Sequence, residues 1–331
     1  MAEWIYEEGI GEDRAILVDE GEIVEARIEL PGKVQTGSVL AARLTAILVP
    51  GRRGIVMLDR GGEALLEPLP AQITEGARLR VEITREAIPE AGRAKLPKAR
   101  ATDDVEREAP GFAQRLEATG HKAVKASATG PDLFEQAGWS ELLEEASTGE
   151  IAFPGGALRM SLTPAMTLFD VDGDIPPAGL AVAGAGAAGR AIRRLAISGS
   201  VGIDLPTLAA KGERQAAAAA LDAALPQPFE RTAVNGFGFL QIVRRRERPS
   251  IPELVQGDPV GAAARALLRH AGRASGTGER TLHAAPAVIA RIEQEASWLE
   301  TLARLAGVPI RLQAEPGLAI SSGHVHNQYV S

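Results

Sequence analysis

The chain has 331 residues, of which 45% are hydrophobic and 24% are charged, and its formal net charge is −7. These values are typical of a globular protein with two or three domains, and they exclude fibrous and wholly disordered proteins. Cysteine is absent, which excludes disulfide scaffolds, thiolate zinc sites, iron–sulfur clusters and cysteine nucleophiles. The N-terminal residues have neither the basic region nor the apolar run of a signal peptide, and no apolar run approaches about 18 residues. We therefore expect a cytoplasmic protein with no membrane partner.

The charge balance limits how the chain can bind nucleic acid. A protein of negative net charge is not a bulk polycation that coats RNA or DNA, so any contact with nucleic acid must be local. Aromatic residues make up 4% of the chain, which leaves few platforms on which bases can stack. An RNA-binding site in this chain would depend on local positive charge and on a metal ion.

The first hundred residues contain short apolar or alternating runs separated by Gly, Pro and charged turns, which is the pattern of short β-strands. The predicted strands are Arg14–Val18, Ile23–Leu30, Val39–Val49, Gly54–Asp59, Ala64–Leu69 and Leu79–Arg85. Five or so strands at this spacing indicate a small β-barrel. The segment Ala99–Glu108 has few large apolar residues, so we predict a linker or an exposed loop there.

Beyond residue 131, predicted helices and strands alternate, which indicates a sheet with helical cover. The predicted helices are Asp132–Ala146, Ala187–Leu195, Gly212–Ala224, Pro259–His270 and Pro286–Ala296, and a loop is predicted at Pro176-Pro177. The predicted strands are Glu150–Phe153, Ala157–Ser161, Met166–Val171, a strand ending at Asp204, Phe229–Ala233, Phe239–Arg244, Thr281–Ala284 and Pro309–Gln313.

Two predicted strands end in aspartates. Asp170, Asp172 and Asp174 follow the apolar run Met166–Phe169, and Asp204 ends another short apolar run. If the two strands are neighbours, Asp170 and Asp204 converge at one sheet edge, where two carboxylates repel each other and favour a divalent cation such as Mg²⁺. The alternative is an Asp-Gly turn that only caps a strand.

A glycine motif predicts a different chemistry. Gly184, Gly186 and Gly189 match Gly-x-Gly-x-x-Gly, and Asp204 lies twenty residues after Gly184. Between a strand and a helix, this pattern predicts the dinucleotide site of an oxidoreductase. In a chain so rich in Ala and Gly, such a match also arises by chance.

Two basic segments are candidate phosphate-binding sites. Arg244, Arg245 and Arg246 end a predicted strand, and arginine makes bidentate contacts with phosphate. The residues of a second basic patch follow the predicted barrel and would suit an RNA backbone; they are Arg93, Lys95, Lys98 and Arg100. The alternatives are a solvated sheet end and a flexible charged linker, respectively.

A pair of histidines lies near the C-terminus. His324 and His326 lie on one face of a predicted strand. No nearby acid completes a site in the sequence, so we interpret the pair as part of a tail.

Taken in order, several segments resemble the bacterial ribonuclease E/G family. Ala165–Asp172 is similar to the family strand that ends in Asp-(Val/Ile)-Asn and carries its first metal-binding aspartate. Val201–Leu205 is similar to the strand whose Asp is the second ligand, and Asn235–Phe239 to the start of the Arg-Phe-Gly-Leu strand. Gly37–Lys98 resembles the S1-type OB-fold domain. The first thirty residues resemble the opening RNase H-like strands, and His283–Val288 with Arg311–Pro316 the small C-terminal domain of ribonuclease G.

The resemblance implies an α+β multidomain fold, with an RNase H-like/α/β catalytic core, an inserted OB-fold (S1-type) β-barrel and a small C-terminal α/β domain. The implied divisions are residues 1–35 for the N-terminal RNase H-like strands, 36–98 for the OB-fold, 99–130 for a linker or shortened region, 131–250 for the catalytic domain and 251–331 for the C-terminal domain.

The resemblance also implies an activity. The protein would be a metal-dependent endoribonuclease that hydrolyses single-stranded RNA to 5′-phosphate and 3′-hydroxyl ends, in RNA processing or decay. Asp170 and Asp204 would be catalytic and would hold Mg²⁺ or Mn²⁺, with Asp172, in place of the family Asn, as an auxiliary ligand. The expected RNA-binding residues are Arg93, Lys95, Lys98, Arg244, Arg245 and Arg246.

The chain departs from the family pattern in three places. The family's Cys-Pro-x-Cys zinc link cannot form without cysteine, so we expect neither zinc nor a zinc-linked dimer, and the oligomeric state stays open. Gly236 stands where the family has the Arg that helps recognise a 5′-monophosphate, which predicts altered or absent 5′-end sensing. Met57 and Leu65 stand nearest to the stacking aromatics of the OB-fold, which predicts weaker RNA affinity. The alternative function is a non-catalytic RNA-binding protein with the same fold.

Overall fold

The computed structural model describes residues 2–90, 94–127 and 130–327. Within these ranges the chain forms a mixed α+β fold with nine helices, several β-sheets and one closed five-stranded barrel. The α+β class and the barrel predicted from the sequence are therefore confirmed. No described helix is long and apolar enough to cross a lipid bilayer.

The strands are β1 (Glu3–Glu8), β2 (Asp13–Asp19), β3 (Glu22–Glu29), β4 (Val39–Val49), β5 (Arg53–Leu58), β6 (Glu63–Leu66), β7 (Arg78–Arg85), β8 (Lys98–Thr102), β9 (Ala123–Lys125), β10 (Glu150–Phe153), β11 (Gly156–Leu162), β12 (Thr167–Gly173), β13 (Gly199–Asp204), β14 (Glu230–Arg231), β15 (Phe239–Arg244), β16 (Arg280–Ala284), β17 (Ile310–Ala314) and β18 (His324–Asn327). The helices are α1 (Phe112–Glu117), α2 (Leu133–Gln136), α3 (Trp139–Thr148), α4 (Pro177–Arg194), α5 (Lys211–Ala224), α6 (Ile251–Gly257), α7 (Pro259–Arg273), α8 (Pro286–Gln294) and α9 (Ala296–Ala306).

Contacts divide the chain into two compact units. Unit 1 consists of Met1–Pro31, His121–Trp139 and Leu254–Ser331, and unit 2 consists of Gly32–Gly120 and Ser140–Glu253. Each unit is therefore built from segments that are distant in the sequence. The domain boundaries predicted from the sequence stay predictions.

Unit 1 contains two sheets and three helices of the C-terminal region. The first sheet has the order β3-β2-β1-β9 and the second has the order β17-β16-β18. Helix α7 has apolar residues three and four positions apart, which produces one apolar face. This face packs with α8, α9 and the second sheet into one core, which includes Leu267, Leu268, Leu282, Val288 and Ile292.

A network of buried ion pairs joins α7 to β1 and α2 within unit 1. The Arg269 side chain is 4% exposed and donates to Glu7 Oε1 at 2.9 Å and to Glu135 Oε1 at 2.8 Å. It also donates to Asp132 Oδ1 at 2.5 Å. Arg14, which is almost fully buried, lies 3.2 Å from Glu7. The guanidinium of Arg269 therefore links α7 to two other chain segments through their carboxylates.

Asp13 provides a pH-dependent prediction for unit 1. Burial raises the pKa of Asp13 to about 6, with the charges of Glu29 and Glu8 acting in the same direction. Both glutamates lie directly opposite Asp13 on the neighbouring strands, where like charges destabilise a sheet.

We therefore expect Asp13→Asn to stabilise the protein, and only at higher pH. The pKa of Asp13 in the folded protein is about 6, above the ordinary value of 3.8. The protonated Asp13 carboxyl therefore contributes to the stability of the folded protein fully below the unfolded pKa, and this contribution is lost as the pH rises through about 6. Because Asp13 is half-exposed, solvent screening leaves a gain of about 1 kcal/mol above that pH. Thermal melts of the two proteins should coincide at low pH and separate above about 6. An equal increase in melting temperature at low pH and above about pH 6 would contradict this explanation.

Unit 2 contains the barrel, whose strand order is β4-β5-β6-β8-β7. The inward residues of these strands form its core, with Leu44, Val56 and Ile83 fully buried. The fifth strand, β8, begins at Lys98 and runs through the start of the predicted linker Ala99–Glu108. That prediction is therefore wrong for residues 99–102. The segment carries small and charged residues with no strand pattern, and it becomes a strand because β6 and β7 pair with it.

The second part of unit 2 is a six-stranded sheet with the order β10-β11-β12-β13-β15-β14. Helix α4 packs against β10, β11 and β12, and it also packs against α5. Helix α4 begins at Pro177, where the sequence had predicted a loop. Proline is tolerated in the first turn because the N–H that it lacks would have no helical acceptor there.

The glycine motif lies inside helix α4. Gly184 is buried, and a Cβ there would lie 2.4 Å from Val171 Cγ1. Glycine therefore allows the helix to approach β12 closely, and no loop is present to receive a pyrophosphate. The dinucleotide-binding interpretation is wrong. The predicted helix Asp132–Ala146 also differs, because Gly138 has a φ of 93° and separates α2 from α3.

Candidate metal and nucleic-acid site

The two candidate aspartates lie side by side in unit 2. Strands β12 and β13 are parallel neighbours, and their register pairs Asp170 directly with Asp204. Paired positions on adjacent strands lie about 4.8 Å apart in the hydrogen-bonding direction and point to the same face. Both aspartates are exposed. The structure therefore brings these two carboxyl groups to one place on one face of the sheet.

Alternation along the two strands explains why the aspartates face solvent. Phe169 and Val171 on β12 are buried, as are Val201 and Ile203 on β13. Successive side chains of a strand point to opposite faces, so burial of these residues on the face covered by α4 turns Asp170 outward. The apolar residues of each strand thus determine the direction of its acid.

The Asp170 and Asp204 carboxylates have no hydrogen-bond or ion-pair partner among the described residues. Two adjacent carboxylates repel each other, and a cation between them removes this repulsion. Their roles as metal ligands stay predictions.

Asp172, the predicted auxiliary ligand, has a different environment. It shares a face with Asp170, two positions further along β12. Its Oδ2 lies 3.7 Å from Nη1 of Arg159 on β11, whose Nε lies 3.5 Å from Glu150 Oε1. The charge of Asp172 is therefore already partly balanced by Arg159.

Sequence reasoning did not select Arg159 or Glu150. The register pairs Arg159 with Asp170 across β11 and β12, and Glu150 with Arg159 across β10 and β11. The sequence feature that could have identified Arg159 is the short turn between β11 and β12. In this turn the N–H of Thr163 donates to the backbone carbonyl oxygen of Met166 at 3.0 Å. Counting outward from this turn places Arg159 opposite Asp170.

An exposed aromatic residue lies near Asp204, at the C-terminal end of β13. Phe239 is the register partner of Asp204, and Phe237, two residues earlier, is 83% exposed. Asn235 shapes this loop, since its side-chain oxygen accepts from the N–H groups of Phe237 and Phe239 at 2.9 and 3.0 Å. The Thr207 hydroxyl, three residues after Asp204, donates to the Phe237 carbonyl at 3.4 Å. The loop therefore presents an aromatic ring to solvent beside the acids.

The predicted arginine cluster lies at the other end of the sheet. Strand β15 is antiparallel to β13, so its register places Arg244 opposite Gly199, five residues from Asp204. At about 3.3 Å per residue this separation is roughly 16 Å. Arg244 donates to the Ile197 carbonyl at 2.8 Å, and Arg245 and Arg246 pair with glutamates. The structure does not bring these arginines to the aspartates, and RNA binding by them stays a prediction.

The basic segment after β7 is also engaged with protein groups. Lys98 pairs with Glu67 at 2.8 Å, and Lys95 donates to the Pro164 carbonyl at 3.2 Å. Pro164 lies in the turn before β12, at the opposite end of that strand from Asp172. Arg93 lies outside the described residues. RNA binding by Lys95 and Lys98 stays a prediction.

The outer surface of the barrel carries an aliphatic patch at Met57 and Leu65, the two positions nearest to the stacking aromatics of the family that this segment resembles. Met57 on β5 is 39% exposed, and Leu65 on β6 is half-buried. Ile55 is the register partner of Leu65 and shares the outer side with Met57. This patch supplies apolar contact area without an aromatic ring for stacking.

A second cluster of ligand-type side chains lies in unit 1. His324 lies beside His283 and Glu315, and the three form the one group of three His, Asp or Glu side chains with ligand atoms within 4.8 Å of one another in the described part of the chain. The interpretation of His324 as part of a tail without a nearby acid is therefore wrong. Glu315 lies only nine residues before His324, but β16, which carries His283, pairs between β17 and β18, and this pairing is not visible in the local pattern.

Comparison with known proteins finds no matching family model and no matching curated protein.

Proposed function

We propose that the protein is a metal-dependent endoribonuclease that hydrolyses single-stranded RNA, with an RNase H-like catalytic part and an OB-type barrel. The observation that supports this proposal best is the pairing of Asp170 with Asp204 on adjacent parallel strands. Both carboxylates are exposed, and neither has a partner among the described residues. The resemblance of these two strands to those of the ribonuclease E/G family supplies the reaction class.

The donor set fits a hard divalent cation. Carboxylate oxygens on one open face suit Mg²⁺ or Mn²⁺, which prefer oxygen ligands and retain sites for water and phosphate. When bound, such an ion supplies Lewis-acid polarisation of a phosphodiester and promotes formation of a hydroxide nucleophile. Asp170 and Asp204 would hold it, and Asp172 would act next to them through its pairing with Arg159.

The residues around the acids fit an RNA strand on the open face. The guanidinium of Arg159 is a fork of donors that suits a phosphate oxygen, and it lies on the strand next to Asp170. Phe237 offers a ring on which a base can stack. Hydrolysis to a 5′-phosphate and a 3′-hydroxyl forms a bond between the water oxygen and phosphorus and breaks the bond between phosphorus and the 3′ oxygen, which takes up a proton that the water releases.

The test follows a 5′-labelled, A/U-rich single-stranded RNA with the purified protein in Mg²⁺, beside the same reaction in EDTA. Internal cuts that appear in Mg²⁺ and disappear in EDTA support the proposal. Binding without cuts on several such RNAs contradicts it and supports the second candidate, a non-catalytic RNA-binding protein. One observation favours this second candidate. Asp172 is paired with Arg159, so only two of the three predicted metal ligands are without a partner among the described residues, and fewer free ligands hold a metal ion less tightly.

We expect Phe237→Ala to weaken binding of single-stranded RNA by about 1–3 kcal/mol, which is the contribution of one stacked base. The ring is largely exposed, so its removal should not affect folding. Fluorescence anisotropy of a labelled RNA measures the effect, and Phe237→Tyr, which keeps a ring, should bind like the wild type. Equal affinities of Phe237→Ala and the wild type would show that the ring does not contact RNA.

A further inference from the structure

The second sheet of unit 1 has one face in the core and one face open. Leu282 on β16, Leu312 on β17 and Val325 on β18 pack into the hydrophobic core. The alternate positions point the other way, and His283 and His324 share that outer face. Because strands alternate their side chains, the core residues determine where the two imidazoles point.

The two imidazoles are adjacent. His283 and His324 are register partners on antiparallel strands. Their rings are stacked, with centroids 4.9 Å apart and planes 4° from parallel. His283 is partly buried and His324 is exposed, so one ring is supported by its surroundings while the other can rotate.

Glu315 adds a carboxylate from the end of β17. It follows directly after β17, and its N–H donates to the Ala284 carbonyl at 2.8 Å, which positions its backbone beside the end of β16. Its Oε1 lies 2.5 Å from Nδ1 of His283. One ligand atom from each of the three residues lies within 4.8 Å of the other two.

We propose that His283, His324 and Glu315 bind a zinc ion. Two imidazole nitrogens and one carboxylate oxygen form a ligand set that zinc accepts in sites with an open fourth position. Zinc bonds of about 2.0–2.2 Å place two ligand atoms of a tetrahedral site roughly 3.3–3.6 Å apart. Binding would therefore replace the 2.5 Å hydrogen bond between His283 Nδ1 and Glu315 Oε1, and rotation of the exposed His324 ring would bring its nitrogen to the ion. Imidazole ligands favour zinc over Mg²⁺, which selects oxygen. The site is separate from the aspartate pair and does not use the cysteine link of the ribonuclease E/G family.

Calorimetric titration with zinc of the 331-residue chain, without an affinity tag, tests the proposal. The titration is done in millimolar Mg²⁺, which occupies sites made only of oxygen ligands. We expect one zinc per chain, and at least about tenfold weaker binding for His324→Ala and for Glu315→Gln, since even partners that only orient a metal ligand change affinity 10- to 100-fold. Circular dichroism of each variant confirms folding. Absence of zinc binding by the folded wild type would overturn the proposal.

The matched control is His326→Ala. His326 lies on the same strand and the same face as His324, two positions further on, and it is also exposed. It is the register partner of Thr281 rather than of His283. We expect this variant to bind zinc like the wild type. A loss equal to that of His324→Ala would contradict the assigned ligands.

Discussion

Asp170→Asn and Asp204→Asn should each lower the rate of RNA cleavage by at least about 100-fold. Loss of a group that only orients a metal ligand already costs about 10- to 100-fold in activity, so loss of a ligand costs more. Asn keeps the size of the side chain and removes its charge. Because both side chains are exposed and have no partner among the described residues, folding and RNA binding should be kept. Initial cleavage rates in saturating Mg²⁺ measure the effect.

Two neighbouring aspartates provide controls for this prediction. Asp174 lies beyond the end of β12 and is exposed, so Asp174→Asn should cleave at the wild-type rate. Asp172 is paired with Arg159, and Asp172→Asn introduces the residue found there in the ribonuclease E/G family, which this segment resembles, so we expect a smaller loss than at Asp170. An Asp170→Asn or Asp204→Asn protein that cleaves like the wild type would exclude the assigned site.

Arg269→Ala should destabilise unit 1 by about 3 kcal/mol, the lower end of the usual cost of removing one partner from a buried ion pair, because other arginines still pair with two of its carboxylates. The variant removes one of the cations that balance Glu7 and Asp132, whereas Arg273 stays paired with both carboxylates and Arg14 stays paired with Glu7. Burial by itself raises the pKa of Glu7, but the charges and hydrogen bonds of Arg14, Arg273 and Arg269 outweigh it, so the pKa lies below its ordinary value. The pKa of Asp132 is lowered in the same way, against its burial, by Arg269 first of all and by Arg273.

The sign of the pH dependence follows from these lowered values. A carboxyl whose folded pKa is depressed stabilises the protein above its unfolded pKa, and this contribution is lost as the pH falls through the folded pKa. The ordinary values are 4.5 for Glu7 and 3.8 for Asp132. The difference in stability between the wild type and Arg269→Ala should therefore be largest near neutral pH and should narrow below these values.

Tryptophan fluorescence during urea unfolding reports this effect selectively. The chain has three tryptophans, Trp4, Trp139 and Trp298, and all of them lie in unit 1. The control is Lys125→Ala, which removes an exposed pair with Glu8 in the same unit and should leave the midpoint nearly unchanged because solvent screens such pairs. If Arg269→Ala and Lys125→Ala shift the midpoint equally, the network contributes no more than a surface ion pair.

The local sequence pattern was sufficient to predict a strand or helix wherever that segment alone carries the pattern of apolar and turn residues. The bounds of Val39–Val49 and Phe239–Arg244 agree with the prediction, because apolar runs between turn residues fix a strand without help from other segments. Lys98–Thr102 has no such signal, since its strand conformation depends on β6 and β7. Helix α4 was predicted too short because glycine and proline normally interrupt helices, whereas here a close contact with β12 requires Gly184.

The two candidate sites likewise depend partly on local sequence and partly on contacts between distant segments. The sequence by itself determined that Asp170 and Asp204 each follow an apolar strand, because alternation and strand length are local properties. Only the tertiary structure decided that these strands are adjacent and in register, that Arg159 faces Asp170, and that the arginines of β15 lie elsewhere. It also brought Glu315 to His283 and His324. Strand order and register arise from long-range backbone pairing and from burial of one face, which no short segment of sequence encodes.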